Sequence, residues 1–198
     1  DRDSGLFERI GSFWFWITHS YTFSYAQKFD KTQTYAYSLR LTLEKLLVKS
    51  VIFVCLGNIC RSPTAEGIFR SKIKTKGFKI RHDSAGLTNW HEGHPPYEPM
   101  KNTCEQHGYN ISDLRARIIK KEDYRDFDWI LAMDDKNINE LKNIYPSDPE
   151  NKIRKITSFI DGSLNRINVP DPYYTGDYEA SLNLIEQAVE AFLNQIFE

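Results

Sequence analysis

Val51-Ile52-Phe53-Val54-Cys55-Leu56-Gly57-Asn58-Ile59-Cys60-Arg61-Ser62-Pro63 changes character at Cys55. The residues before it are apolar and partly β-branched, the composition of a short buried strand. Gly57 and Asn58 then mark a tight loop. Ser62 followed by Pro63 signals the start of a helix, with Pro63 just inside it. Strand, loop and helix N-terminus in such quick succession aim backbone N–H groups and the positive end of a helix dipole into one small concavity. A dianion such as phosphate suits that concavity. Cys55 lies at its base and Arg61 at its rim.

The residue types supply the chemistry. A helix N-terminus and a guanidinium both favour a thiolate over a thiol, and the thiolate is the nucleophilic form. Arg61 offers a planar fork of donors matched to two phosphoryl oxygens, which Lys does less well. The Ser62 hydroxyl can donate to the sulfur and make it a better leaving group later. A bland alternative is a buried Cys ending a strand beside a surface Arg. The joint occurrence of the loop, Arg61, Ser62 and Pro63 argues against it.

Val54 to Pro63 resembles the signature of the low-molecular-weight protein tyrosine phosphatases. Three later stretches agree in order: Asp83-Ser84-Ala85-Gly86, Phe127 to Asp134, and Asp171-Pro172-Tyr173-Tyr174. The resemblance runs from about residue 50 to the C-terminus, so we read 50–198 as the phosphatase domain and 1–49 as an extension outside the family. It implies an α/β fold: a small four-stranded parallel sheet with helices on both faces. The ligand then sits at the carboxyl edge of the strands.

The resemblance also implies roles. Cys55 is the nucleophile that forms a cysteinyl-phosphate, Arg61 the phosphate clamp, Asp171 the general acid, and Ser62 a supporting catalytic group. Leu56, Gly57, Asn58, Ile59 and Cys60 complete the phosphate loop. Trp90 and Tyr173 wall an aryl slot, and Tyr174 matches a regulatory phosphorylation position. Asp134 supports the loops at the catalytic edge and can also cap the helix after it. No metal or other cofactor is needed, because the loop and Arg61 supply positive charge. The expected substrates are phosphotyrosine proteins and small aryl phosphates. Cys60, in the same loop as Cys55, is the expected redox partner that joins it on mild oxidation. Family members carry a His behind the phosphate loop where this chain has Asp113 and Leu114. Asp113 and His107 are the residues considered to stand in for it.

Relatives with other chemistry share this loop. Arsenate reductases need further cysteines for a disulfide relay, and this chain has only Cys104 outside the loop. Protein arginine phosphatases have a small polar residue where Ile59 stands, and an apolar residue suits an aryl ring. A non-catalytic phosphate-binding module is the alternative from another class.

Outward from the signature, Pro63 to Lys76 reads as a helix closed by Gly77. Phe78 to Ala85 reads as a second strand, and Glu98 to Gly108 as a helix with Met100, Cys104 and His107 inward. Lys121 to Phe127 is a short helix, Trp129 to Met133 a third strand, and Asp135 to Ile144 a helix. Ile153 to Phe159 is a fourth strand and its connection. Two prolines and Gly176 make Val169 to Gly176 a rigid loop rather than a helix. Asp177 to Phe197 closes the domain as an amphipathic helix. His91 and His94 are read as charges near the mouth of the site.

A net charge of −1 over 198 residues argues against a nucleic-acid binder driven by bulk charge. Three cysteines do not make a secreted disulfide framework. A thiolate enzyme also needs reducing surroundings, so the expected location is cytoplasmic. Residues 1–49 are dense in aromatics, including Phe13-Trp14-Phe15-Trp16, and hold no Pro or Cys. Residues 10–25 are apolar but too short and too polar for a spanning helix. They are read as part of a poorly ordered tail, with membrane-surface contact as the alternative. Leu39 to Leu47 has the spacing of a short amphipathic helix.

Overall fold

The structure is a computed structural model, and it describes residues 50–197. The readings of residues 1–49, including the tail, the membrane-surface alternative at 10–25 and the helix at Leu39 to Leu47, lie outside the described residues.

Four parallel strands form the sheet. They are β1 (Ser50–Cys55), β2 (Arg81–Gly86), β3 (Trp129–Ala132) and β4 (Ile153–Lys155), in the order β2-β1-β3-β4. The helices are α1 (Arg61–Thr75), α2 (Glu98–Gln106), α3 (Asp123–Asp126), α4 (Asp135–Ile144), the single turn α5 (Pro172–Thr175) and α6 (Tyr178–Phe197). Every residue of β1 is buried. Its alternate side chains feed two cores, as the period of a strand requires. Val51, Phe53 and Cys55 pack with Ile68 and Phe69 of α1 and with Leu182, Ile185 and Phe192 of α6. Ile52 and Val54 pack with Phe127, Ile130, Leu141 and Tyr145 on the other face. Helices therefore cover both faces, and β1, β2 and β3 run out on one edge at Cys55, Gly86 and Ala132. Among the described residues, no helix is long and apolar enough to cross a membrane.

Several boundaries differ from the sequence reading, each for a local reason. Helix α1 begins at Arg61 rather than Pro63: the loop closes straight into it, with Thr64 N donating to Cys60 O at 3.2 Å. Pro63 is tolerated there because its missing N–H belongs to the first turn. Strand β2 begins at Arg81 rather than Phe78, whose ring leaves the sheet to stack on Phe197 with centroids 3.8 Å apart. Helix α2 ends at Gln106; Met100 and Cys104 are buried, but His107 lies outside with Nε2 2.9 Å from Glu179. The stretch read as a rigid loop contains α5. Asp171 caps that turn by accepting from Tyr173 N at 3.2 Å, Pro172 fits its first position, and Gly176 closes it at φ 72°.

Candidate active site

The loop between β1 and α1 is held by bonds that turn its carbonyls outward. Leu87 N donates to Cys55 O at 3.0 Å and to Leu56 O at 2.9 Å, Thr88 N to Leu56 O at 3.1 Å, and Tyr97 N to Ile59 O at 2.8 Å. The end of β2 must come this close. A Cβ on Gly86 would lie 3.1 Å from Leu56 O and 3.2 Å from the Gly57 carbonyl carbon, so any larger residue would push the loop backbone by a few tenths of an ångström. Asn58 takes the left-handed conformation at φ 56°, which Asn tolerates better than most residues. Its backbone N–H faces inward and donates to Cys55 Sγ at 3.3 Å.

Asn58 is pinned from behind. Its Oδ1 accepts from Arg117 N at 2.9 Å, and its Nδ2 donates to Ser62 Oγ at 2.9 Å and Ser84 Oγ at 3.0 Å. Ser62 Oγ lies 3.1 Å from Cys55 Sγ. Arg117 is itself clamped by Asp83 and Asp123. Burial works against its charge, but those two carboxylates outweigh it and raise its pKa. The expectation that Asp113 or His107 stands behind the loop is corrected here. Asp113 pairs with Arg70 and His107 with Glu179, both at the surface. The residues behind the loop are instead the Arg117 amide and Ser84.

Arg61 is 3 % exposed, and its guanidinium spans two carboxylates. Nη1 lies 2.5 Å from Asp134 Oδ2, and Nη2 lies 2.5 Å from Asp171 Oδ2. Burial opposes the Arg61 charge, yet Cys55, Asp171 and Asp134 together hold its pKa above the ordinary value. Asp134 also caps α4, its Oδ1 accepting from Asn137 N at 2.6 Å. The segment carrying Asp171 is tied to the end of β3 by Val169 N to Met133 O at 2.9 Å, and to α6 by Ser181 Oγ to Pro170 O at 3.2 Å.

Above the loop is an open cavity of about 290 Å³. Of the sequence-expected site residues, Cys55, Leu56, Gly57, Ile59, Cys60, Arg61, Trp90, Asp171, Tyr173 and Tyr174 line it, whereas Asn58 and Ser62 lie beneath, both buried. Trp90 and Tyr174 are 67 % and 72 % exposed, so they form the outer lips. His91 lines the cavity as well. A Cβ on Gly57 would lie 3.0 Å from its Cδ2, so the ring lies directly against the loop between β1 and α1. The sequence reading placed His91 near the mouth, and no local signal marks its contact with Gly57. Burial, with the charge of Cys55 adding to it, pushes the Cys60 thiol far above the ordinary range.

Residues 50–198 match the model of the low molecular weight phosphotyrosine protein phosphatases. The chain is 42 % identical over 149 residues to the low molecular weight protein-tyrosine-phosphatase YfkJ of Bacillus subtilis, covering 74 % of this chain and 95 % of that one. The crystal structure of YfkJ superposes with a TM-score of 0.72 at 41 % identity, covering 75 % of this chain and 94 % of that one. The crystal structure of a Drosophila arginine phosphatase superposes with a TM-score of 0.67 at 34 % identity, covering 73 % and 95 %.

Proposed function

Because the chain belongs to the low molecular weight phosphotyrosine protein phosphatase family, we propose that it hydrolyses phosphotyrosine in proteins, and small aryl phosphates, through a cysteinyl-phosphate on Cys55. The observation that carries this reading is the convergence on one cavity of Cys55, Arg61 and Asp171, from β1, α1 and the segment before α5.

The substrate phosphate enters the loop, where inward amides and the Arg61 fork take its oxygens. A phosphoryl dianion takes Arg61 Nη2 from Asp171, and the displaced carboxylate, unpaired and beside the phosphate charge, takes up a proton from bulk water and turns toward the leaving oxygen. Cys55 Sγ attacks phosphorus in line, the sulfur–phosphorus bond forms, the aryl oxygen–phosphorus bond breaks, and Asp171 gives its proton to the departing phenolate. Asp171 then takes a proton from water, whose oxygen attacks phosphorus and releases inorganic phosphate. Ser62 Oγ donates to the sulfur as it leaves. Positive charge comes from Arg61 and the amides.

Ile59 and the aromatic lips Trp90, Tyr173 and Tyr174 favour an aryl ester over a phosphoguanidinium group, although a solved arginine phosphatase is similar in fold. A disulfide relay of the arsenate-reductase kind lacks a third thiol at the cavity, for Cys104 is buried with Sγ 3.4 Å from Thr64 Oγ1. Cys60 serves as the reversible redox partner of Cys55, and both belong in a reducing, cytoplasmic setting. The test is turnover of p-nitrophenyl phosphate in the presence of a chelator. The expected result is metal-independent hydrolysis that Cys55→Ser abolishes; activity persisting in Cys55→Ser excludes the mechanism and means a different catalyst, and a wild type that turns over nothing leaves a binding module.

A further inference from the structure

A polar chain continues beyond Ser84 to two groups that the mechanism above does not use. Ser84 Oγ donates to Glu66 Oε2 at 2.7 Å, and Glu66 Oε1 lies 3.1 Å from His82 Nδ1. Glu66 sits on α1, one turn past Ser62, and is 5 % exposed. His82 sits on β2 two residues before Ser84, so the two side chains point to the same face of the strand. A carboxylate this buried needs donors for its oxygens, and His82 and Ser84 bracket it.

The donors and acceptors leave little freedom. The Arg117 amide can only donate, so it fixes Asn58 Oδ1 as the acceptor and Nδ2 as the donor. Asn58 Nδ2 donates to both Ser84 Oγ and Ser62 Oγ. Ser84 must then send its own hydrogen to an acceptor, which Glu66 provides. Ser62, having accepted from Asn58, has its hydrogen left for Cys55 Sγ at 3.1 Å or for Ala85 O at 3.4 Å, and the sulfur is the nearer. The ring of His82 also meets Phe69 edge-on at 6.2 Å, with Val51 as its neighbour across the sheet. Its strand neighbours are engaged elsewhere: Arg81 lies over Phe127, and Asp83 pairs with Arg117.

We propose that Glu66 and His82 are a positioning pair: His82 orients the Glu66 carboxylate, which fixes Ser84 and Asn58 and thereby directs the Ser62 hydroxyl at Cys55. This rests on the reading of Cys55 as nucleophile. In this chain His82, on β2, thus anchors the phosphate loop from behind.

The experiment compares wild type, His82→Ala, His82→Asn and Glu66→Gln in the full chain. Two readouts are taken: kcat and KM on p-nitrophenyl phosphate, and the rate of inactivation by iodoacetate at pH 6. His82→Ala and Glu66→Gln lower kcat about tenfold with KM within about twofold, the scale of one lost charge-assisted hydrogen bond. Both slow alkylation in parallel. His82→Asn, whose Nδ2 takes the place of Nδ1, restores most of the loss. Wild-type kcat and alkylation in His82→Ala or Glu66→Gln overturn the proposal. So does a folded His82→Asn as impaired as His82→Ala, which would show that the ring matters only for packing on Phe69. If His82→Ala does not fold, Glu66→Gln and His82→Asn decide on the same criteria. A wild-type enzyme that iodoacetate fails to inactivate refutes the nucleophile reading instead, so the two failures are distinguishable.

Discussion

Arg61 Nη2 and Asp171 Oδ2 meet at 2.5 Å across 110 positions of sequence. The clamp and the proton donor of the proposed reaction are thus partners before any substrate arrives. Arg61 keeps a second carboxylate, Asp134, on its other nitrogen, so yielding Asp171 to a phosphoryl group does not leave the buried guanidinium unpaired.

The first prediction concerns Asp171. Asp171→Asn removes the proton donor but leaves a group able to cap α5. Hydrolysis of phosphotyrosine, whose leaving group is basic, will fall roughly a hundredfold or more, whereas an aryl phosphate with an acidic leaving group will lose much less. kcat/KM across a series of substituted phenyl phosphates, which reports only the step that expels the phenol, reads the difference as a steeper dependence on leaving-group pKa. Equal slowing throughout the series removes Asp171 from that role.

Asp134 has two jobs that substitution separates. Asp134→Asn keeps an oxygen for Asn137 N but takes a charge from Arg61; Asp134→Ala loses both. The Ala variant will be less stable than the Asn variant by about 1 kcal/mol, the value of a helix cap, while both lose similar activity. Urea unfolding and kcat/KM on the same preparations check this. Equal stability of the two variants removes the cap.

The cysteines differ in environment and will differ in reactivity. Burial and the neighbouring Cys55 hold Cys60 far up as a thiol, so iodoacetamide at pH 7 will label Cys55 before Cys60. Peptide mass mapping at partial labelling will find one adduct, on Cys55. Mild peroxide will join the two sulfurs, and a thiol reductant will restore activity. Irreversible sulfinic acid at Cys55 with Cys60 still free contradicts the pairing.

Burial raises the Cys104 thiol from 9.0 to about 11. The folded protein therefore holds this proton at pH values where the unfolded chain has released it. The resulting stabilisation is complete below about pH 9 and is lost as pH rises toward about 11. Cys104→Ala will flatten the fall of unfolding free energy over that window by up to about 1.4 kcal/mol per pH unit, the value of one proton. Denaturant melts of both proteins at several alkaline pH values measure it; identical slopes contradict it.

Much of this architecture was legible in the chain. The β1 run and the Cys55 to Pro63 signature fixed a strand, a loop and a helix in order, and the later motifs gave the parallel sheet. What the sequence hid were relationships between distant residues. Nothing local marks that Phe78 stacks on Phe197, which shortens β2. Asp171 and Pro172 looked like a turn because the same residues that break a helix interior also start one. Position along the chain points to Asp113 or His107 as the loop's support. The bond instead comes from a backbone amide at Arg117 and from Ser84, Glu66 and His82, brought together by the pairing of β2 beside β1. A backbone donor has no sequence signature at all.

The most direct test of the central claim is to look for phosphorus on Cys55. Asp171→Ala slows attack by water, so rapid quenching of its reaction with p-nitrophenyl phosphate into denaturant should capture the intermediate. Peptide mass spectrometry is then expected to find a phosphoryl group on the peptide bearing Cys55, formed with a burst of p-nitrophenol that matches the enzyme concentration. A stoichiometric burst with the phosphoryl group on any other residue, or steady turnover with no burst and no adduct, would contradict it.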